Sequence, residues 1–555
     1  MPEKNKSYEA VITDLSFEGN GICKVDGMTV FVPNTAVGDK IKLLIVKLLK
    51  SYAFGKLEEI IVPSEERTEP DCENFHKCGG CIFRHINYKS ECKIKSDIVK
   101  NAFVRIGGIQ TEFEEFLGCE QTERYRNKVQ YPIAEINGKA VCGFYAPRSH
   151  RVIPLDDCKL QPHIFSEICA DVLNYINEHK ISVYNEEKHN GFIRHLYIRQ
   201  GFHSKEIMVC IVARKDISRE LKALVKILTE KYTDIKSLIL NINPDKTNVI
   251  LGKKCITLAG NDFIIDTMCG KTIEISPLSF YQVNTAQAEK LYSIAEEYAQ
   301  LNNDMCICDL YCGAGTIGLS MSDKVKRLIG IEIVPQAIEN AKKNAAYNNA
   351  DNTEFICAGA EAVSDALKKS SMSPEVIILD PPRKGCDRAT IDAVVGAAPE
   401  RIVMISCNPS TAARDCAEFE KLGYKVNKVR GVDMFPRTGH VETVVLLSHK
   451  EVETTIDVKL EFGEGKGQHS LKKAQAKADK FKPKERVTYK MIQEYVENKY
   501  GFKVHTAYIA EVKRSLGLDM YDAPNAVETL KNPRKHPTPE KEEAIKDALK
   551  YFEII

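Results

Sequence analysis

Over residues 1–63, apolar, often β-branched positions gather in five short runs separated by glycine turns: Tyr8–Leu15, Gly21–Val25, Thr29–Val32, Lys40–Val46 and Phe54–Ile61. Runs of that kind predict short strands, and five at this spacing predict a small closed barrel rather than a helical unit. Val62-Pro63-Ser64 reads as a linker. From 64 to 270 strands and helices mix, and Asn190-Gly191-Phe-Ile-Arg-His195-Leu-Tyr-Ile-Arg199 alternates like a strand. From 271 to 450 buried strand runs and amphipathic helices follow one another regularly, which predicts a parallel sheet with helices on both faces. The pattern breaks after Ser448. Residues 451–470 are glycine-rich and polar, and Met491–Tyr500 and Thr506–Leu516 predict two short helices on either side of Gly501-Phe502. The expected domains are therefore 1–63, 64–270, 271–450 and 451–555. The helical segment 88–115 is expected to pack back on the third of these, leaving the second discontinuous.

Composition narrows the class. With 43% apolar and 28% charged residues, the chain is neither fibrous nor wholly disordered. Its 78 Lys and Arg against 77 Asp and Glu give no bulk field, so a nucleic-acid partner would have to be held by a local patch. One such run is 471–490, with eight Lys or Arg against two Asp or Glu. No apolar run approaches the roughly 18 residues of a membrane span. Met1-Pro-Glu-Lys-Asn-Lys leads straight into a strand-like segment, so a cytoplasmic protein without a membrane partner is expected. Nineteen cysteines in such a chain should be reduced thiols, metal ligands or nucleophiles rather than a disulfide framework.

Strand ends carry the candidate chemistry. Cys306-Ile-Cys-Asp309-Leu-Tyr311-Cys-Gly313-Ala-Gly315-Thr-Ile-Gly318 reads as a buried strand, a glycine turn and a helix start, where backbone can approach a ligand closely. The next strand ends Leu328-Ile-Gly-Ile-Glu332, placing an acid where ribose hydroxyls require one. A third ends Val376-Ile-Ile-Leu-Asp380-Pro-Pro-Arg383. Ligands of open α/β sheets bind beyond the carboxyl ends of the strands, so Asp309, Glu332 and Asp380 are expected to share one crevice. A fourth strand ends Ile402-Val-Met-Ile-Ser406-Cys407-Asn408-Pro409, with a thiol at the mouth of that crevice. Downstream lies Met434-Phe-Pro-Arg-Thr-Gly-His440-Val-Glu442, a loop running into another strand.

Three further thiols fall within ten residues, Cys72-x5-Cys78-x2-Cys81, with Gly79-Gly80 allowing a tight wrap. Cys158 is the expected fourth ligand, with Cys92 and Cys142 in reserve. Four thiolates suit zinc or an iron–sulfur cluster, and spacing does not decide between them.

Taken together, Phe280-Tyr-Gln282-Val-Asn284, Asp309-Leu-Tyr-Cys-Gly-Ala-Gly315, Asp380-Pro-Pro-Arg383, Ser406-Cys-Asn-Pro409 and His440-Val-Glu442 resemble the RNA uracil-C5 methyltransferase family, in family order over residues 1–448. Gly19-Asn-Gly-Ile, Val30-Phe-Val-Pro33 and Gly38-Asp39 resemble a TRAM domain, an OB-like RNA-binding module. The resemblance implies a class I, Rossmann-like α/β methyltransferase domain behind a TRAM barrel and an α+β central domain, with a small helical extension. It implies Cys407 as nucleophile and Glu442 as base, and Gln282, Tyr311, Glu332 and Asp380 as ligands of S-adenosylmethionine. For Cys72, Cys78, Cys81 and Cys158 it implies a [4Fe-4S] cluster.

The residue types suit that chemistry. Uracil C5 is too weak a nucleophile until a thiolate adds at C6, and a carboxylate must later remove the C5 proton. The target base has to leave its stack, with Phe280 as the expected platform. Arg126 and Lys128 are candidates for contacting phosphate or positioning the flipped nucleotide. Arg383 stands where amino-group methyltransferases place an aromatic, which argues against adenine methylation. The expected partner is RNA, 23S ribosomal RNA ahead of transfer RNA, and the expected state is a monomer. An RNA cytosine-C5 methyltransferase lacks support, because Asp380-Pro-Pro-Arg383 offers no second cysteine. A non-catalytic RNA-binding factor would have no need of Cys407 and Glu442.

Overall fold

The computed structural model describes residues 1–450, 489–516, 518 and 536–552. The glycine-rich segment 451–470 lies outside them, as does nearly all of the basic run 471–490. Two compact units divide the chain, Met1–Glu453 and Thr454–Ile555.

The first unit begins with a six-stranded sheet ordered Ser7–Val11, Lys40–Leu48, Tyr52–Val62, Met28–Val32, Gly21–Val25 and Asp14–Leu15. Its two outermost strands are consecutive in the chain, joined only by Ile12 and Thr13, so the sheet must curl until its edges meet. The Ile12 N–H donates to the Asp39 carbonyl and the Gly38 N–H to that of Ile12. Alternate residues fill the closed interior, among them Cys23, Val25, Val30, Ile41 and Leu43. The expected single strand Tyr8–Leu15 is thus two half-strands on opposite edges, because Ile12 turns inward where the chain bends.

The central region is a seven-stranded sheet ordered Val152–Pro154, Lys139–Tyr145, Lys128–Ile136, Ile193–Gln200, Ile207–Ala213, Ile235–Ile242 and Lys254–Gly260. The helices His163–Glu178 and Lys222–Lys231 cover one face through Phe165, Ile168, Leu224 and Leu228, meeting Val209 and Ile211. Met208, Cys210 and Val212 point the other way, into a core shared with Tyr281, Ala288 and Leu291. A strand buried on both faces loses its alternation, which is why Ile207–Ala213 is apolar throughout.

The third layer is an eight-stranded sheet: Thr353–Cys357, Arg327–Glu332, Cys306–Leu310, Val376–Leu379, Arg401–Ser406, Glu442–His449, Tyr424–Val432 and Glu112–Phe113. The first five are parallel, and Glu442–His449 then runs antiparallel to both of its neighbours. Order reverses between Cys306–Leu310 and Val376–Leu379, which opens the crevice at their carboxyl ends. The segment 88–117 joins this layer. Helix Tyr88–Asn101 continues into the π-turn Ala102–Gly107, and Glu112–Phe113 adds a last parallel strand beside Lys428 and Val429.

The second unit has its own core, in which Ile492, Val496, Ile509, Val512, Ile545 and Leu549 pack helices Tyr489–Tyr500, Thr506–Ser515 and Pro539–Tyr551 together. No helix among the described residues is long and apolar enough to cross a membrane.

Candidate active site

At the carboxyl ends of the parallel strands lies a cavity of about 730 Å³. Gln282, Tyr311, Glu332, Asp380, Cys407 and Glu442 all line it.

The first strand delivers the backbone of the site. Tyr311 has φ of +64°, rare for a residue with a Cβ, and its N–H donates to the Ile331 carbonyl at 2.9 Å. Gly313 and Gly315 follow with φ of +55° and +80°, which only glycine adopts at no steric cost, and a Cβ on Gly315 would meet the Phe355 ring at 3.1 Å. Glu332 clasps this turn. One carboxylate oxygen accepts the Gly313 N–H at 3.2 Å and the other the Val334 N–H at 2.9 Å.

Asp309 departs from expectation. It is fully buried beneath the glycine turn, with one oxygen accepting the Gly318 N–H at 2.9 Å and the other without a partner. Burial pushes its carboxyl up to about 7. Glu332 and Asp380 share the crevice, whereas Asp309 braces the loop from behind. The expectation of three acids in one crevice is corrected on this point.

Sheet register brings the thiol and the carboxylate together. Ser406 pairs with Thr443 in an antiparallel ladder, so Cys407, one residue on, stands across from Glu442, one residue back. Asn408 caps helix Pro409–Lys421 by accepting the Ser410 N–H. Its side-chain amide donates to the Arg383 carbonyl at 3.2 Å, tying the Ser-Cys-Asn-Pro turn to the Asp-Pro-Pro-Arg turn. Glu442 is 6% exposed, and burial followed by the charge of Asp380 raises its carboxyl to about 8. Burial alone raises Asp380 to about 7. Burial and then the Glu442 and Asp380 carboxylates push the Cys407 thiol up to about 11, with Arg383 opposing. Burial thus favours the protonated form of all three groups, and a cation beside them would oppose it.

Phe280 is 66% exposed on the rim, available for stacking rather than packed in a core. Phe435 and His440, quoted in the sequence motif without a role of their own, also line the cavity, their rings 6.0 Å apart edge to face. Burial and the nearby cations Arg383, Arg126 and Lys95 hold the His440 imidazole neutral, down to about 4. The strand end after Cys357 was missed too; Ala358 and Gly359 form the cavity wall beyond the Thr353–Cys357 strand, third in chain order of the strand-end loops.

A separate cavity of about 200 Å³ is lined by Cys72, Cys78, Cys81 and Cys158. The Gly80 N–H reaches the Cys78 sulfur at 3.3 Å. Burial raises the Cys78 and Cys81 thiols, and that of Cys158 to about 12, while the Arg84 guanidinium pulls Cys81 back. Among the described residues, no group of three or more His, Cys, Asp or Glu side chains is placed to hold a metal ion, these four thiols included. The reserves lie elsewhere. Cys92 abuts Gly118 and Tyr88, and Cys142 is in the central core with its sulfur against that of Cys169, Cα atoms 7.6 Å apart.

Residues 168–450 match the tRNA (uracil-5-)-methyltransferase family and residues 3–57 the TRAM domain. An uncharacterized RNA methyltransferase of Clostridium tetani is 44% identical over 447 residues, covering 80% of this chain and 97% of that protein. Another from Staphylococcus epidermidis is 42% identical over 453 residues, 81% and 99% of the two chains. The tRNA (uracil-54, C5)-methyltransferase of Pyrococcus abyssi, solved with S-adenosyl-L-homocysteine, superposes with a TM-score of 0.64 at 26% identity, over 79% of this chain and 100% of its own. With a TRAM barrel, a class I sheet and a thiol–carboxylate pair in the crevice at its strand ends, the chain belongs to the S-adenosylmethionine-dependent RNA uracil-C5 methyltransferases.

Proposed function

We propose that this enzyme methylates uridine C5 in 23S ribosomal RNA, in the cytoplasm and as a monomer, through a covalent Cys407–C6 adduct. The observation that carries the mechanism is the register that sets Cys407 beside Glu442 in a cavity shared with Asp380. S-adenosylmethionine supplies a methyl group from its sulfonium centre. Glu332 would hold the ribose hydroxyls, and Tyr311, Gln282 and Asp380 would hold the rest of the donor. Cys407 gives up its proton to solvent and its sulfur bonds to C6, moving the ring's electrons to C5. C5 takes the methyl group, and the electron pair of the broken carbon–sulfur bond stays on the donor sulfur. Glu442 then removes the C5 proton, the C5–C6 double bond re-forms, and the Cys407 thiolate leaves. Neutral His440 and exposed Phe280 flank the cavity as partners for an unstacked pyrimidine.

The four thiols around the second cavity support a [4Fe-4S] cluster held by Cys72, Cys78, Cys81 and Cys158. When bound it would supply architecture, since uracil methylation is redox-neutral.

Preference for ribosomal RNA rests on the TRAM barrel and the four-thiol cavity in one chain. Mapping 5-methyluridine in total RNA from a strain lacking the gene tests it. Loss from 23S RNA alone is expected, and loss from transfer RNA would assign the enzyme to the other substrate.

A further inference from the structure

Strand Lys128–Ile136 runs antiparallel to Ile193–Gln200, and Lys128 is the register partner of Arg199. Register partners carry their side chains on the same face, close enough for two like charges to repel. That face turns toward the methyltransferase layer, because Tyr197, two residues before Arg199, lies in the core shared with Tyr281 and Ala288. The two cations thus sit where the central sheet meets the segment 276–285.

Both are largely withdrawn from water. Arg199 is 1% exposed; its Nη1 donates to the carbonyls of Ser276 and Ser279 at 3.3 and 3.0 Å, and its Nε has no partner. Burial and the charges of Arg199 and Arg126 pull the Lys128 ammonium down to about 8, and no carboxylate stands among the groups acting on it. Arg126, two residues back, also leaves its Nε buried and unpartnered, its guanidinium 5.7 Å from the ring centres of Tyr125 and Phe435. Clustering desolvated charges of one sign costs stability, and an anion that enters removes the cost.

The place for that anion borders the methyl-transfer cavity. Arg199 grips the Ser279 carbonyl next to Phe280. Asn127, between Arg126 and Lys128, donates through its side chain to the Gln282 carbonyl at 2.9 Å and to Thr285 Oγ1 at 3.0 Å, and through its N–H to the Val283 carbonyl at 2.8 Å. The cations therefore follow the Phe280–Gln282 rim.

We propose that Lys128, backed by Arg199 and Arg126, binds a phosphodiester of the substrate RNA next to the target uridine and anchors the strand while the base occupies the cavity. This rests on the family's RNA chemistry and is independent of the covalent adduct and of which RNA is the substrate.

Lys128→Met tests it, keeping the apolar stem and removing the charge. The probes are an unmodified transfer-RNA transcript and an unmodified 23S fragment, titrated at several salt concentrations. The RNA that binds wild-type protein more tightly should lose about tenfold in affinity near 0.15 M salt, and its log–log salt slope should shrink by about 0.7–0.9, one phosphate contact. Affinity for S-adenosylmethionine should stay unchanged, and the free protein should melt no lower than wild type. Lys128→Arg should recover the RNA affinity. Unchanged RNA affinity and slope would overturn the proposal. So would lost donor affinity with RNA binding intact, which would assign the cations to the donor's carboxylate. A lower melting temperature with a salt-independent loss would overturn it in favour of a purely structural role.

Discussion

Lys95 Nζ lies 2.8 Å from Asp433 Oδ1, with neither side chain exposed, across 338 residues of sequence. The same ammonium is 2.8 Å from Glu91 Oε1 and 3.2 Å from the Phe435 carbonyl. Glu91 in turn accepts the Arg437 N–H at 2.7 Å. One buried cation on helix Tyr88–Asn101 therefore holds the loop that leads to His440 and Glu442. Lys95→Met would leave two buried carboxylates without their shared partner, a loss of roughly 3–5 kcal/mol. A clearly lower melting temperature is expected, with most of it regained when Glu91→Gln and Asp433→Asn are added. An unchanged melting temperature in the single variant would sink this account.

That relationship was not legible in the sequence, and the reason is physical. The strand-end motifs could be read because a parallel strand buried on both faces is a continuous apolar run, and the polar residue that stops it marks the crevice. Cys407 and Asp380 announce themselves that way. Lys95 looks like one more surface lysine in a polar helix, and only the fold supplies Asp433. Asp309 misled for a related reason. A strand-end acid can point into the crevice or back under the loop, and the Gly318 N–H that draws it backward carries no sequence signal beyond a glycine. Ile12 hid the barrel's closure, since Tyr8–Leu15 carries neither Gly nor Pro to mark the bend.

The thiol and the carboxylate should fail differently. Cys407→Ala should abolish methyl transfer, with S-adenosylmethionine affinity within about twofold, because it removes only the bond to C6. Glu442→Gln should let methylation proceed and then stall, leaving RNA covalently attached. Denaturing gels read this as a slower-migrating RNA–protein band, absent from the Cys407→Ala/Glu442→Gln double variant. Normal turnover by Cys407→Ala would end the covalent scheme.

Burial raises Asp309 and Asp380 to about 7 and Glu442 to about 8. A carboxyl whose folded value lies above its unfolded value keeps a proton that the unfolded chain releases. The associated stability is fully present below the unfolded value and is lost as pH rises through the folded one. The ligand-free protein should thus melt lower at pH 8 than at pH 5. Glu442→Gln should flatten that decline and melt on the order of 5 °C higher than wild type at pH 8. Activity should run the opposite way, with kcat/KM rising between pH 6 and about 8 as Glu442 ionises in the free enzyme. A melting difference independent of pH would contradict the buried-carboxyl account.

Cys72→Ala and Cys158→Ala each remove one thiol from the second cavity, whereas Cys416 is fully buried among Phe419, Val445 and other core residues. Protein purified without oxygen should be brown, with iron and sulfide. Either cavity variant should bleach it and weaken RNA binding, while Cys416→Ala should leave colour and affinity alone. Stoichiometric zinc on elemental analysis would replace the cluster with an ion.

The unit Thr454–Ile555 holds a helical core of its own, and the family matches end at residue 450. Basic run 471–490 ends in the first two residues of helix Tyr489–Tyr500, with six more positive than negative charges, eight less two. A few phosphate contacts from such a run would raise RNA affinity without touching the chemistry. Truncation after Glu453 removes it together with the helices and leaves the first unit whole. The shortened enzyme should keep its maximal rate, need several-fold more RNA to reach half of it, and show a salt slope shallower by about two to four. Lys128→Met made in the shortened enzyme should then subtract its own single contact, because phosphate contacts that share no partner add independently. If RNA affinity is unchanged at every salt concentration, the extension has no part in holding RNA.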